Sequence, residues 1–230
     1  MLDTLLRRAS PAYRIQRKEQ AELAFWQNAL AELRSWYDGK ISFWGTPPLQ
    51  PERRHSVSDH WVVNAITIRH GLRPTYHEAL QLDRDAFRGK RVLEVGCGPM
   101  APILQFADCD RHGVDPLVNV YMFAGWPLYA YDVKCVSTKA ESLPYPDGYF
   151  DAIISVNALD HVHDFEQVCS EIERVLRPGG EVHFEVEYHK PTVTEPVMLH
   201  DHRMHRALPG CKLSKILRRS AVNEFSGRAV

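Results

Sequence analysis

The spacing of apolar residues changes near residue 90 and divides the chain in two. Upstream, Leu23, Trp26, Leu30, Leu33 and the pair Trp36/Tyr37 recur at three- and four-residue steps, the spacing of one apolar helical face. Asp38-Gly39 marks a stop. Residues 45–51 are rich in proline, which fixes φ and removes donors, and predict a connection without regular structure. A second helix is predicted to start at Ser58 or Asp59 and end at Gly71, with Trp61, Val62, Ala65, Ile66 and Ile68 as its apolar positions. Thr75-Tyr-His-Glu78 has capping-box spacing and predicts a third, short helix.

Downstream, short apolar runs alternate with helical segments. The runs are Val92, Leu93 and Val95, then Arg111-His-Gly-Val-Asp115, Val133-Lys-Cys-Val-Ser137, Ala152-Ile-Ile-Ser-Val156 and Glu181-Val-His-Phe-Glu-Val-Glu187. This alternation predicts an α/β fold with a mostly parallel sheet and helices on both faces. The division places an N-terminal helical extension or lid at residues 1–88 and the core at 89–230. Pro99, Ala101, Ile103, Leu104 and Phe106 are read as a helix after the first strand, and residues 165–176 as another before the turn Arg177-Pro-Gly-Gly180. Pro144, Pro146 and Gly148 argue against a long helix before the fourth strand. Further on, residues 195–208 are read as helical and 212–217 as a strand. So few residues follow Pro209 that a closing strand is expected to be missing or very short.

The candidate chemistry sits at Arg91-Val-Leu-Glu-Val-Gly-Cys-Gly-Pro99, a buried-strand pattern running into a glycine turn. Gly96 and Gly98 let the backbone turn sharply and approach a ligand that any β-carbon would keep away. Two cofactor classes use such a corner. Gly96-x-Gly98-x-x-Ala101, with Asp115 downstream, fits a dinucleotide fingerprint and would make the chain an NAD-dependent oxidoreductase. The Glu94-Val-Gly-Cys-Gly form of the turn is instead similar to the first motif of class I S-adenosylmethionine (SAM) methyltransferases.

The order of the downstream segments carries the second resemblance further: the acidic end of the second strand, Ala140-Glu-Ser-Leu-Pro before the fourth, Asn157-Ala-Leu-Asp-His161 after it, and the Arg-Pro-Gly-Gly turn. Over about residues 89–190 the chain resembles this family, in particular its small-molecule, type 11-like branch. The resemblance implies a Rossmann-like core, SAM as cofactor and methylation of a small-molecule acceptor, more on oxygen than on nitrogen or carbon. A hydroxyl of a sugar-containing or natural-product substrate is the leading acceptor. A non-catalytic SAM-binding protein is the remaining alternative, because Met100 stands where a third glycine is usual.

The resemblance also assigns residues. Gly96, Cys97 and Gly98 lie beside the ribose and amino-acid part of the cofactor, with Glu94 either a polar anchor beneath them or a strand residue bonded to nearby backbone. Asp115 accepts both ribose hydroxyls or caps a helix. Ala140 and Glu141 border the adenine, and Asn157 the methionine end. His161 is the candidate base, since imidazole titrates in the useful range; its competing role is to cap a helix or hold Asp160. Asp160, Tyr188, His189 and Glu195 are candidate acceptor contacts, Thr192 lying among them.

Composition narrows the partners. A net charge of −1 over 230 residues gives no footprint for nucleic acid. No apolar run reaches membrane-spanning length and the N-terminal residues lack a signal-peptide pattern, so a cytoplasmic protein is expected. The five cysteines are scattered without C-x-x-C spacing, as small buried residues in a reducing compartment are. His200, His202 and His205 cluster around Asp201, but without a specific ligand motif, and no metal is expected. The aromatic N-terminal helix either packs on the chain's own sheet or forms a homodimer interface.

Overall fold

The structure is a computed structural model that describes residues 11–192, 194–219 and 224–229. Seven strands form one sheet in the order β3-β2-β1-β4-β5-β7-β6. These are β1 (Arg91–Val95), β2 (Asp110–Asp115), β3 (Lys134–Ser137), β4 (Phe150–Val156), β5 (Leu176–Glu187), β6 (Leu213–Arg219) and β7 (Glu224–Ala229). The first five pair in parallel, and β7 runs antiparallel to both β5 and β6. The fold is thus the mostly parallel, Rossmann-like sheet expected. The closing strand, expected to be missing or very short, is β7, six residues long.

Side-chain alternation along the central strands feeds two cores. Val92, Ala152 and Ile154 face one that also holds Leu33 and Trp36 of helix α1 (Pro11–Tyr37), Val62 and Ile66 of α2 (Trp61–Leu72), and Tyr76 of α3 (Thr75–Leu80). Leu93, Val95 and Ile153 face the other, built with Val168 and Ile172 of α5 (Phe165–Val175) and Met204 of α6 (Asp201–Ala207). Helix α4 (Val118–Phe123) follows β2. The N-terminal helices therefore share their core with the sheet. Trp36 is fully buried there, its Nε1–H donating to the Pro47 carbonyl at 2.7 Å and pinning the proline-rich connection beneath α1. Trp26 packs edge-on against Tyr121 and Trp126, so both tryptophans lie on the chain's own core. Among the described residues no helix is long and apolar enough to cross a membrane.

Four local expectations need correction. The helix placed after β1 is a turn followed by one 3-10 turn, Pro102–Gln105. Pro99 and Pro102 supply no N–H, Ala101 sits at φ +40°, and the Ile103 N–H is taken by Glu94. Helix α2 begins two or three residues late, capped by His60 Nδ1, because Asn64 Oδ1 accepts from the N–H groups of Val57 and Ser58 and holds them in the loop. Thr75 does not cap α3 but is its first residue, and its hydroxyl accepts from Gln105 Nε2. The helix read over 195–208 shrinks to α6, since Pro196 lacks a donor and Thr192 Oγ1 bonds the Glu195 N–H into a turn. The Arg177-Pro-Gly-Gly180 turn survives as a bulge inside β5. Phe150 pairs with Leu176 and Ala152 with Glu181, leaving one residue of β4 opposite four of β5.

Because α1 and the sheet share one core, Trp36→Ala is expected to cost about 3–5 kcal/mol. The urea midpoint should fall as a single transition; a separate early transition would mean that the N-terminal helices melt independently.

Candidate active site

The carboxyl ends of β1–β4 open into a cavity of about 420 Å³, walled on one side by α1. Ligands of open α/β sheets bind at this edge. The turn after β1 forms its floor. Gly96 has φ +78°, and a β-carbon there would lie 2.3 Å from that of Ala158 after β4. At Gly98 (φ +54°) a β-carbon would reach the Trp26 ring at 3.4 Å. The N–H groups of Gly96 and Cys97 donate to the Val114 carbonyl of β2, which fixes the turn against its neighbouring strand.

Asp115 organises the next corner. Its Oδ2 accepts from the Gly98 N–H at 3.2 Å and its Oδ1 from the Leu117 N–H at 2.9 Å, so it ties the ends of β1 and β2 together and does not cap α4. Tyr121 adds its hydroxyl to the same carboxylate; burial, and then Asp115, push the phenol's pKa up. Glu94 lies below, fully buried and outside the cavity lining. Its Oε2 accepts from the Ile103 N–H at 3.1 Å, closing the loop after β1 back onto the strand, and burial pushes its carboxyl up to about 8. Cys97 also points away: its thiol shares a hydrogen bond with Cys135 and lies against Gly113.

The opposite rim is tied by Glu141. Its Oε1 accepts from the N–H groups of His163 and Asp164, while Asp164 itself caps α5 through the Gln167 N–H. Ala140 lines the cavity beside it. Asn157, in the left-handed region at φ +50°, donates its N–H to the Glu185 carbonyl at the end of β4. His161 faces α1, with Nδ1 3.2 Å from Glu22 Oε1 and Nε2 3.9 Å from Glu195 Oε1. Asp160 is held by His189 and not by His161, at 2.8 Å. The Lys190 carbonyl on Nδ1 and the Asp160 carboxylate on Nε2 raise the His189 pKa. Tyr188 donates its hydroxyl to Asp201 and braces α6.

The cavity thus gathers Gly96, Gly98, Asp115, Ala140, Glu141, Asn157, His161 and Glu195, whereas Glu94, Cys97, Asp160, Tyr188 and His189 stand behind its lining. Sequence reasoning missed Glu22, Trp26 and Tyr121 as lining residues. Glu22 and Trp26 are four residues apart on one helical face, a signal that was there to be read. The lining carries Glu19, Glu22, Asp115, Glu141 and Glu195 against Lys139 and the histidines, a field that suits a cation.

A methyltransferase-domain family model matches residues 93–184. Those residues form a class I SAM-dependent methyltransferase domain. This decides between the two cofactors that the glycine turn left open, and the acid-rich cavity with its two side-chain-free positions fits a sulfonium-bearing nucleotide. The domain is similar to sterol 24-C-methyltransferase ERG6B of Gibberella zeae, 36% identical over 101 residues, 40% of this chain and 26% of that protein. It is also similar to a fatty-acid O-methyltransferase of Mycolicibacterium smegmatis, 33% identical over 117 residues, 46% of this chain and 39% of that one. The chain therefore spans about a quarter of the length of the sterol relatives it matches. Its fold is similar to that of a SAM-dependent methyltransferase from Aquifex aeolicus, with a TM-score of 0.53 at 16% identity over 68% of this chain and 92% of that one.

Glu94 gives the domain a pH signature. Its folded-state pKa of about 8 stands above the ordinary 4.5, so the folded chain holds this proton more tightly. The stability it contributes is complete below about pH 4.5 and is lost as pH rises through about 8, a loss on the order of a few kcal/mol. Glu94→Gln keeps an acceptor for Ile103 and removes the proton. The variant is expected to match the wild type at pH 5 and exceed it in urea stability at pH 9; parallel curves would assign the loss to other groups.

Proposed function

We propose that this protein transfers a methyl group from SAM to a hydroxyl of a small-molecule acceptor, with His161 as the base. What carries the reading is one continuous cavity that joins the glycine turn and Asp115 at one end to the Glu22–His161 pair at the other. Bound SAM supplies an activated methyl carbon on a sulfonium centre. The chain's own work is then positioning and exclusion of water, plus one proton transfer. Glu22 on Nδ1 orients the imidazole, leaving Nε2 to take the acceptor's hydroxyl proton. Gly96 and Gly98 admit the cofactor close to the backbone, and Asp115, held in place by the Gly98 and Leu117 N–H groups, receives the ribose diol.

The lining also carries polar Glu19, Thr194 and Glu195 and aromatic Phe25 and Trp26. That mixture suits a sugar-containing or natural-product acceptor with an apolar part. The fatty-acid O-methyltransferase is a relative named for oxygen transfer, and the sterol and ubiquinone/menaquinone C-methyltransferases are relatives named for carbon transfer. The Glu22–His161 pair favours oxygen, where a proton has to leave.

Calorimetric titration with SAM and S-adenosylhomocysteine tests the cofactor end. Asp115→Asn is expected to weaken both by about 10- to 100-fold, the loss of charge-assisted hydrogen bonds. In a labelled-methyl assay over an acceptor panel, His161→Gln should lower turnover by about 10²- to 10⁴-fold with SAM affinity unchanged. Unaltered turnover in that variant would remove His161 as the base, and label recovered on carbon would replace oxygen transfer.

A further inference from the structure

A second group of polar side chains lies beside His161. Asp160, His189 and Glu195 each present one ligand atom, and these atoms all lie within 4.8 Å of one another. They come from three segments: the loop after β4, the two residues beyond β5, and the turn that Thr192 closes before α6. Asp160 is fully buried. One of its oxygens faces His189 Nε2 at 2.8 Å, and the other, Oδ1, has no hydrogen-bond partner among the described residues. A buried carboxylate oxygen without a partner is costly and calls for a ligand.

The other two residues are prepared in the way that metal ligands are. His189 Nδ1 is 2.8 Å from the Lys190 carbonyl, so it carries the hydrogen of that bond and leaves Nε2 as the coordinating atom. Such a second bond fixes the tautomer and ring plane of ligating histidines. Glu195 Oε2 accepts from the Thr192 hydroxyl at 2.9 Å and lies 3.9 Å from His189 Nε2. Glu195 also lines the cavity, whereas Asp160 and His189 stand behind it.

We propose that Asp160, His189 and Glu195 bind a divalent transition-metal ion at the acceptor end of the cavity. One imidazole and two carboxylates suit zinc, manganese or cobalt better than calcium, which takes six to eight oxygens. Three protein ligands leave at least one position open, and Glu195, which lines the cavity, joins the site to it. An acceptor oxygen placed on that position lies beside His161, which the same Glu195 approaches at 3.9 Å. The histidines at 200, 202 and 205 do not join this group. His200 Nδ1 accepts the Arg203 N–H at the start of α6, and His205 Nδ1 meets the Asp201 carbonyl.

The test is the ion itself and does not depend on methyl transfer. Full-length protein is titrated with Zn²⁺, Mn²⁺ and Co²⁺ by calorimetry, and the cobalt form is read by its visible absorption. The expected result is equimolar binding with a ligand-field band. Glu195→Gln, which leaves the buried Asp160–His189 pair intact, should weaken it by at least about 10-fold, and His189→Gln further. Circular dichroism checks that both variants fold. His202→Ala with His205→Ala should leave binding unchanged. No equimolar binding, or binding that survives Glu195→Gln and disappears with the α6 histidines, overturns the site.

Discussion

Two left-handed glycines set the geometry of the edge at which the cavity opens. At Gly96 the backbone of the turn approaches Ala158 so closely that a β-carbon would overlap it, and at Gly98 the turn supports the ring of Trp26. The first contact seats the loop after β4 and the second seats the N-terminal helix. Asp115 then locks the arrangement by taking the Gly98 N–H, with Glu94 holding the far end of the same loop through Ile103. No helix N-terminus follows β1 to offer its dipole, because the prolines end any helix there. Closeness of backbone and placement of carboxylates do that work instead.

Charge is arranged in layers around this edge. The lining is acidic, a field that suits a cation, while a buried carboxyl below it, Glu94, is held neutral by lack of water until the pH reaches about 8. From the lining inward, Glu22, His161, Glu195, His189 and Asp160 form a continuous series of carboxylates and imidazoles from α1 to the loop after β4. Each imidazole in the series sits between two acids.

The strands and most helices were legible because their apolar periodicity is strong: Ala152-Ile-Ile-Ser-Val156 reads as a buried strand, and the 165–176 helix is met to within a residue. Asp115, Ala140, Asn157 and His161 were legible through motif order, which records chain position at strand ends. What failed was decided by distant partners. Nothing near residue 103 announces that Glu94 will take its N–H, and nothing near Ser58 shows that Asn64 will hold it outside the helix. The Asp160–His189–Glu195 group was obscured for the same reason, its members lying far apart in sequence, whereas the histidines adjacent in sequence are spent on α6. Glu22 was missed because its helix was read for its apolar face alone.

Helix α1 is continuous over 27 residues and lies wholly upstream of the strands whose ends it covers. It places Glu22, Phe25 and Trp26 on the cavity, while the turn, the strand ends, α4 and the loops after β4 and β5 supply the rest. One wall and the floor are therefore encoded by separate stretches of the gene. Drift in the upstream stretch re-lines the wall residue by residue, constrained at Trp26 by the glycine it rests on and at Trp36 by the core. Inheritance can keep the floor and exchange the wall.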